Sequence, residues 1–425
     1  MKKIENILKE VLIKVNPPKE SLDYIEKFLK KFIAELEGKF RKMKADVQIF
    51  VGGSFAKGTM IRKGKYDVDV FARFDEKYRG KNISGITKKA LEEMKADFSV
   101  VHGSRDYFRI DVGSSFFVEI VPVIKVKKPK EAENITDLSY FHVDYVKKKL
   151  KTGKMTEEVR LAKAFCHANK CYGAEGYING FSGYALELLI NHYKSFLNFA
   201  RGMTKIKDKE IIDNEKLYKN KSEIMMNMNS AKMVSPIIVI DPTYKERNAL
   251  AALSEETFRQ FKEVCRKFLK NPSEKAFEEQ EINLEKIKEN ARKTKSEFIS
   301  LIAETDKQEG DVAGSKLIKF YRHLSEEIGK YYKISNKGFD YNDKKQANYF
   351  FVLKKKDFIL LNGPDKKDKK NSALFRKKHK NAFVKGNRIF AKEKLDKSIR
   401  EFINDWKFKN SEKMKEMHIV GLKID

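Results

Sequence analysis

The sequence predicts a multi-domain α+β protein with a small mixed sheet near its start, a helical middle and a basic α+β C-terminal part. Three observations favour this class. The chain has 425 residues, about three times a common domain size. Its apolar residues recur with the period of a helix in some segments and with that of a strand in others. Hydrophobic residues make up 41% and aromatic residues 12% of the chain, which excludes global disorder.

The charge of the chain indicates an anionic partner. Lys and Arg number 90 against 61 Asp and Glu, a formal net charge of +29. A surplus of this size favours binding to a polyanion, of which nucleic acid is the leading candidate. No apolar run is long enough for a membrane span, and the charged first residues lack the core of a signal peptide. Three cysteines, an odd number, fit a reducing compartment. We therefore expect a cytoplasmic protein that binds no membrane.

The first 143 residues are expected to form one α+β domain. Helical spacing predicts two amphipathic helices separated by Pro17-Pro18. A short apolar strand is expected over Val47–Val51, followed by the turn Gly52-Gly53-Ser54 and a helix start near Phe55. Three further strands are predicted: Tyr66–Phe74, Tyr107–Val112 and Phe116–Val126. We expect these strands to form a mixed or antiparallel sheet.

The rest of the chain divides into a helical domain and a basic α+β part. Helical spacing predicts the helical domain over 144–254. The basic α+β part is expected over 255–425. In the latter we expect a helix over Ser254–Leu269, a helical stretch over 274–304 and strands such as Ala347–Leu353 and Phe358–Leu361. Residues 351–425 hold 22 basic and 10 acidic residues. A short lysine run is usually a solvated surface, but in so basic a chain a contact surface for phosphate backbone is favoured. Its predicted RNA-binding residues are Lys366, Lys367, Lys369, Lys370, Arg376, Lys377 and Lys378.

Two closely spaced acidic residues are the first indication of a catalytic site. Asp67 and Asp69 lie two positions apart in a predicted strand, so their side chains point to the same face. This arrangement suits carboxylates that share a pair of divalent cations. Glu119 lies between apolar residues of another predicted strand, where a lone carboxylate is costly without a cation or a donor. We expect Glu119 to complete the site as the third acid.

The turn before these acids suits phosphate binding. Gly52-Gly53-Ser54 precedes a helix start, where unpaired N–H groups and the helix dipole attract phosphate. Residues 53–59 also have the glycine spacing of a Walker A loop, but the Lys that should follow Gly58 is absent, which excludes that motif. Alone, the turn or the Asp-x-Asp pair is more often an ordinary turn or a solvent-facing strand edge. Together, in this order, they are specific.

These motifs resemble the signature of the DNA polymerase β-like nucleotidyltransferases, in which Gly-Ser is followed after a short spacer by Asp-x-Asp or Glu-x-Asp. Twelve residues separate Ser54 from Asp67 here. Within this superfamily the chain resembles class I, archaeal-type CCA-adding enzymes, which are tRNA nucleotidyltransferases. The similar segments are 158–165, 168–169, 172–175, 180–184 and 187–190, Asp241-Pro242 with Arg247-Asn248, and more weakly Gly363-Pro364. The resemblance is good from about residue 50 to residue 260 and loose thereafter.

The resemblance implies a polymerase-β-like head, a helical neck, and a C-terminal body with a basic tail. It implies that Asp67, Asp69 and Glu119 are catalytic residues that hold two Mg²⁺ ions, one activating the 3′-hydroxyl of tRNA and one bridging the triphosphate. The implied contacts of the nucleotide, CTP or ATP, are Gly53, Ser54, Lys57, Thr59, His142, Lys163, Tyr172 and Arg247. Arg247 matches the arginine associated with reading the incoming base. The implied partner is the acceptor arm of tRNA; the oligomeric state, a homodimer included, stays open.

Each residue carried over from the resemblance also has an ordinary structural explanation. Lys163 could be a surface lysine of a helix and Tyr172 a core aromatic residue beside a turn. His142 could cap a helix, and Arg247 could pair with the neighbouring Glu246. Without the resemblance, these explanations would be favoured.

One departure from the family pattern concerns the third acid. The family has Asp before the Val-Pro pair, whereas this chain has Glu119. The extra methylene shifts the carboxylate by more than an ångström, and Mg²⁺ sites depend on geometry. The strand that carries Glu119 must therefore lie farther from the metal site, or the activity falls.

Three functions compete. The favoured one is template-independent addition of CCA to the 3′ end of tRNA, with release of pyrophosphate. A poly(A)- or oligoadenylate-type nucleotidyltransferase would share the carboxylate site but would need no alternation between C and A. A catalytically inactive RNA-binding relative would bind tRNA without incorporating nucleotide.

Overall fold

The computed structural model describes residues 2–103, 105–279, 282–394 and 397–425. The chain divides into two compact units, residues 1–174 with 178–280, and residues 175–177 with 281–425. Helices and several small sheets alternate along the chain, which confirms the predicted α+β class. Among the described residues, no helix combines the length and the hydrophobicity that a membrane crossing requires.

The first part of the first unit contains a mixed five-stranded sheet, which we call the head sheet. Its elements are α1 (Lys2–Val15), α2 (Lys19–Lys42), β1 (Val47–Val51), α3 (Gly53–Ala56), β2 (Tyr66–Phe74), α4 (Ile83–Glu93), β3 (Ser99–Val101), β4 (Tyr107–Val112), β5 (Phe116–Ile124) and α5 (Ser139–Lys149). The strand order is β1-β2-β5-β4-β3. Only the β2–β5 pair is parallel; the other three are antiparallel. The mixed sheet agrees with the sequence prediction.

Alternation along the strands of the head sheet separates its core face from its polar face. Val68 and Val70 of β2 and Val118 of β5 are buried in the core beneath α2 and α4. The residues between them point to the opposite face. The helix predicted after the Gly-Gly-Ser turn is a single turn, α3, because Gly58 adopts a positive φ of 65° soon after it.

The second part of the first unit is mainly helical and has its own core, the neck core. Its elements are α6 (Gly153–Ala168), α7 (Gly183–Tyr193), α8 (Phe196–Lys205), β6 (Glu210–Ile212), α9 (Lys221–Asn227), β7 (Ile237–Asp241), β8 (Tyr244–Asn248) and α10 (Glu255–Lys270). The buried cysteines Cys166, Cys171 and Cys265 lie in this core.

The packing differs from the predicted domains at two helices. Phe261 and Phe268 of α10 are buried in the neck core, whereas the sequence predicts that the C-terminal part starts at 255 and contains α10. Leu8 and Val11 of α1 are buried in the same core, whereas the sequence predicts that α1 belongs to the head. Apolar helix faces join whichever core they contact, and sequence order alone does not identify it.

The second unit contains a four-stranded and a three-stranded sheet. Its elements are α11 (Leu284–Lys293), β9 (Glu297–Thr305), α12 (Asp311–Tyr331), β10 (Tyr332–Tyr341), β11 (Gln346–Lys355), β12 (Phe358–Asp365), α13 (Lys369–Lys378), β13 (Ala382–Lys385), β14 (Arg388–Lys394), α14 (Ile399–Lys409), α15 (Ser411–Glu416) and β15 (Ile419–Ile424). The sheet orders are β10-β11-β9-β15 and β12-β14-β13.

The helical prediction for 274–304 is wrong in its last part. That part forms β9, which lies between β11 and β15 in the larger sheet. Ile299, Leu301 and Ala303 point into the core of the second unit and are almost fully buried. Their alternation has the period of a strand, which outweighs the Lys- and Glu-rich composition of the preceding helix.

Candidate active site

The three predicted catalytic acids lie on the polar face of the head sheet. Asp67 and Asp69 belong to β2, and Glu119 belongs to β5. The parallel register pairs Asp69 directly with Glu119, and cross-strand partners point to the same face. The sheet therefore places the three carboxylates side by side, as the sequence predicts for the two aspartates.

The charges of these acids oppose one another. Burial and the nearby Asp67 raise the pKa of Asp69 to about 6. Burial and both aspartates raise the pKa of Glu119 to about 7. Such mutual repulsion is what a bound divalent cation relieves, and oxygen donors are the ligands that Mg²⁺ prefers. The chemistry of the donor set therefore fits this ion.

A lysine that the sequence analysis missed lies against the first acid. Lys63 Nζ is 3.0 Å from Asp67 Oδ1. Burial alone would raise the pKa of Asp67, but Lys63 outweighs burial and lowers it. As the side chains stand, the described part of the chain contains no group of three or more His, Cys, Asp or Glu residues arranged to hold a metal ion. An ion bound at this place would have to displace Lys63 from Asp67.

The glycine of the turn makes room for the second acid. Gly53 has a φ of 60°, a conformation that residues with a Cβ atom adopt only at a cost. A Cβ atom on Gly53 would lie 1.7 Å from Asp69 Oδ2. The preceding Gly52 N–H donates to the carbonyl oxygen of Asp69 at 2.9 Å. The hydrogen bond therefore fixes the turn to the strand that carries Asp69. No side chain larger than hydrogen fits at Gly53.

Two of the predicted nucleotide contacts are lysines that converge on one buried glutamate. Glu187 on α7 accepts from Lys57 Nζ at 2.6 Å and from Thr59 Oγ1 at 2.6 Å. Lys163 on α6 donates to Thr59 Oγ1 at 2.9 Å and to Glu187 Oε1 at 3.2 Å. Lys163, Glu187 and Thr59 are buried, so Lys163 is not the surface lysine that the alternative explanation supposes.

This lysine pair keeps an excess positive charge at the site. Burial lowers the pKa of Lys163 to about 8, against the opposing effect of Glu187. Burial would raise the pKa of Glu187, but Lys57 and Lys163 outweigh it and lower it. The glutamate is therefore ionised at neutral pH, and it neutralises one of the two lysines. The sequence carried a signal for Glu187, an acid among the apolar residues of α7.

Most of the remaining predicted contacts line the same cleft. Ser54, Lys57, Thr59, Asp67, Asp69, Lys163 and Tyr172 share it with Lys63, His167 and Gly183. The ring of Tyr172 stacks on that of His167, with centroids 3.9 Å apart. His167 Nε2 is buried without a hydrogen-bond partner in the described residues. Burial, with Lys63 and Lys163, lowers the pKa of His167 to about 4, so this ring is neutral at pH 7.

His142 and Arg247 meet at a second cluster, centred on Asp241. Asp241 Oδ2 lies 2.7 Å from Arg247 NH1 and 3.2 Å from His142 Nε2. Its other oxygen accepts from the Tyr184 hydroxyl at 3.0 Å and from Thr243. Arg247 therefore pairs with Asp241 and not with Glu246, the partner that its ordinary explanation supposed.

The Asp241 cluster adjoins the cleft through Tyr184. The ring of Tyr184 stacks on that of His142 at 4.1 Å, and Lys57 Nζ lies 6.0 Å from its centre. Burial lowers the pKa of His142 despite Asp241. Burial would raise the pKa of Asp241, but His142 and Arg247 hold it well below its usual range. A neutral imidazole and a guanidinium thus share one carboxylate.

The predicted RNA-binding residues lie in the second unit. Lys366 and Lys367 follow the end of β12, and Lys369, Lys370, Arg376, Lys377 and Lys378 are on α13. All seven are exposed. None of them has an ion-pair partner in the described ranges, so a carboxylate does not neutralise their charge there.

Comparison with known proteins assigns both parts of the first unit. Residues 29–154 match the family described as "Nucleotidyltransferase domain". Residues 157–278 match "tRNA nucleotidyltransferase, second domain", which includes α10.

Two relatives are both named CCA-adding enzyme. That of Nanoarchaeum equitans is 41% identical over 242 residues, which cover 57% of this chain and 59% of the relative. That of Methanocaldococcus jannaschii is 28% identical over 407 residues, 91% of this chain and 87% of the relative. The chain thus spans less than two thirds of the first relative and most of the second.

The fold also resembles a solved structure. A cytoplasmic RNA terminal U-transferase superposes with a TM-score of 0.51 at 13% identity, covering 66% of this chain and all of that one. At this identity the likeness shows the fold alone, and it agrees with the polymerase-β-like head of the sequence prediction. With both domain matches and the two relatives named CCA-adding enzyme, the first unit is similar to CCA-adding tRNA nucleotidyltransferases in both of its parts.

Proposed function

We propose that this protein adds CCA to the 3′ end of tRNA, using CTP and ATP and releasing pyrophosphate. The observation that carries the proposal is the register of the head sheet, which places Glu119 beside Asp69 and Asp67, in a chain related to CCA-adding enzymes. The lysines and the turn that line the same cleft supply what a triphosphate needs.

In this proposal Asp67, Asp69 and Glu119 would hold two Mg²⁺ ions, whose charge would make the attacking 3′-hydroxyl more acidic and offset that of the triphosphate. The carboxylates themselves must be deprotonated to bind, and the raised pKa values of Asp69 and Glu119 make binding compete with protons.

The triphosphate is oriented by the turn and by the buried lysines. Ser54 can donate its hydroxyl, and Lys57 and Lys163 supply positive charge from one side of the cleft. Because Glu187 and Thr59 fix both ammonium groups, the site is organised before the nucleotide arrives, which lowers the cost of reorganisation. Tyr172 is held in the cleft by His167.

The base is read beside the triphosphate, by the Asp241 cluster. Asp241 engages NH1 of Arg247, and a guanidinium has five N–H donors in a fixed fork. The remaining donors can address the acceptor edges of cytosine or adenine. His142 and Tyr184 hold the carboxylate from its other sides. Asp241 is therefore a positioning residue for Arg247.

The acceptor arm of tRNA is bound mainly through its backbone. An enzyme that serves all tRNAs must read shape and phosphate rather than sequence. The exposed cations from Lys366 to Lys378 suit this role. A cytoplasmic location, which the composition favours, is part of the same proposal.

The test is extension of a tRNA transcript that lacks its last three nucleotides. Purified protein and Mg²⁺ are supplied with CTP alone, ATP alone or both, and products are resolved at single-nucleotide steps. We expect two additions with CTP and a third only when ATP is also present. Addition of many A residues would identify the protein as a poly(A)-type enzyme. Binding without extension would identify an inactive relative.

Matched variants separate catalysis from folding. Asp69→Asn and Glu119→Gln should abolish extension, whereas Glu119→Asp should retain it. Asp111→Asn is the control, because Asp111 is an exposed acid on β4 of the same sheet and should leave extension unchanged. Extension by Glu119→Gln at the rate of the unaltered protein would exclude Glu119 from the site.

A further inference from the structure

One face of the small sheet in the second unit carries exposed and half-exposed side chains. The sheet β12-β14-β13 buries Ile359, Ile389 and Ala391 on its other face. On that covered side, α13 packs against β12, and the ring of Phe375 lies so close to Gly363 that a Cβ atom there would be 2.8 Å from it. Alternation directs the intervening residues to the opposite side.

We call this opposite side the open face; its residues, assigned by the register of the three strands, are Phe358, Leu360, Asn362, Asp365, Phe383, Lys385, Arg388, Phe390, Lys392 and Lys394. Phe358 is 58% and Leu360 50% exposed. Large apolar side chains at this exposure on one sheet face are uncommon unless the face binds a partner.

Aromatic rings and cations are interleaved on the open face. The rings of Phe383 and Phe390 are 6.1 Å apart and nearly parallel, at 29°. Lys392 Nζ lies 6.0 Å from the centres of both Phe358 and Phe383. The lysine thus stands between two rings, close enough to each for a cation–π interaction.

The charge of the open face is predominantly positive. Lys385, Arg388, Lys392 and Lys394 lie on it against one acid, Asp365, which is the register partner of Arg388 at the end of β12. The acid of β14, Glu393, points to the other side, where it contacts His379 at 2.8 Å. Lysine is depleted at the centre of protein interfaces, so this composition does not favour a protein partner.

We propose that the open face binds RNA by stacking unpaired nucleobases on its aromatic rings while its cations contact the adjacent phosphates. Exposed rings on a sheet, flanked by Lys and Arg, are a recurring platform for single-stranded RNA. Duplex RNA offers phosphates but no free base faces, so the open face prefers unpaired segments. The surface is separate from α13, which covers the opposite side of the sheet.

The choice of RNA rests on the proposed function, because the geometry alone selects single-stranded nucleic acid. The occupant is an unpaired stretch of the RNA substrate, outside the stem that carries the growing 3′ end. The expected effect of the open face is therefore on the KM for an RNA with unpaired nucleotides, not on kcat.

The test measures the affinity of the full chain for two labelled probes by fluorescence anisotropy. One probe is a single-stranded RNA of about 12 nucleotides, within the span of known single-strand-binding folds, and the other is a blunt RNA duplex of equal length. Phe358→Ala should weaken single-strand binding about tenfold and duplex binding much less. Phe358→Tyr, which keeps a ring, should bind like the unaltered protein.

Two further variants locate the effect. Lys392→Gln should weaken binding and reduce the slope of log Kd against log salt by about 0.7. Leu374→Ala is the matched control: Leu374 is 59% exposed on α13 and should leave both affinities unchanged. Thermal unfolding of each variant checks that the fold persists.

The outcomes are decisive. Unchanged single-strand affinity in Phe358→Ala, or an equal loss in Leu374→Ala, would overturn the proposal and leave the open face to a protein partner. An equal loss of duplex binding in Phe358→Ala would also overturn it. Nucleotide addition is measured separately. If the unaltered chain adds no nucleotide but Phe358→Ala still loses single-strand affinity, the proposed function falls and the open face stands.

Discussion

At the scale of single residues, the candidate site depends on glycine as much as on its acids. Gly53→Ala should reduce nucleotide addition about 10²-fold, because the new Cβ atom would displace the Asp69 carboxylate by an ångström or more. Gly58→Ala is the matched control, since Gly58 has a φ of 65° and nothing within 4 Å of its Cβ position. Both variants bear the backbone cost of about 1 kcal/mol. Equal activities would contradict the proposed role of Gly53.

The buried glutamate should matter for stability as well as for binding. Glu187→Gln keeps the shape of the side chain but leaves Lys57 and Lys163 without their counter-ion. We expect a loss of about 3 to 5 kcal/mol in the free energy of unfolding, measured by urea denaturation. Asp46→Asn, which breaks an exposed pair with Lys77, should cost about 1 kcal/mol or less. Similar losses of unfolding free energy in both variants would contradict the role of Glu187 as the counter-ion of the two lysines.

His167 should contribute to the pH dependence of stability. Its pKa is about 4 in the folded protein and about 6.5 in an unfolded chain. Between these values the unfolded state takes up a proton that the folded state does not, so stability falls as the pH drops from about 6.5 to about 4. His167→Phe, which can keep the stack on Tyr172, should show a smaller decline in thermal stability. His102→Phe, at an exposed position, is the control and should lose thermal stability over this pH range as the unaltered protein does. An equal decline in His167→Phe and in the unaltered protein would exclude a contribution of His167.

The residues of the site were predictable to different degrees. The common face of Asp67 and Asp69 follows from alternation alone. The pairing of Asp69 with Glu119 does not, because it needs the strand order. The partner of Arg247 was also hidden: Glu246 is adjacent to it in β8 and points to the opposite face, where Lys130 lies 2.9 Å away, while Asp241 comes from the preceding strand.

At the scale of elements, α10 is a structural part of the neck core. Phe261 is fully buried, with its ring centre 4.6 Å from that of Phe181 and 5.4 Å from that of Phe199. Phe261→Ala should therefore cost about 3 to 5 kcal/mol, read from denaturant unfolding of the full chain. Lys267→Ala, at an exposed position of the same helix, should change stability by about 0.5 kcal/mol or less. A small effect of Phe261→Ala would show that the core can do without α10.

Elements were predictable where one periodicity dominated. The strands β1, β2, β4 and β5 follow from alternating or apolar runs between turn residues, although the predicted strand Phe116–Val126 extends two residues past the end of β5. The sequence does not predict β9, because the strand follows the charged helix α11 after a short connection and that composition conceals its alternation. The single turn α3 begins at Gly53, two residues before the expected start near Phe55, and its short length depends on the positive φ of Gly58.

At the scale of the whole molecule, the neck core and the head sheet form one unit that continues past residue 254. A fragment of residues 1–279 should unfold cooperatively, whereas a fragment of residues 1–254 lacks α10 and exposes aromatic rings of the neck core. We expect the shorter fragment to bind a hydrophobic dye and to show no cooperative transition by circular dichroism. Equal behaviour of both fragments would restore the boundary at 254 that the sequence suggested.

The parallel pairing of β2 with β5 also determines when the site can exist. Asp69 and Glu119 are about 50 residues apart in sequence, and β3, α4 and β4 lie between them. Closing so long a loop is slow, and pairings of high contact order form late in folding. The carboxylates are therefore assembled only when the head is nearly native. Under the proposed function, a head that has not finished folding has no assembled carboxylate site and adds no nucleotide.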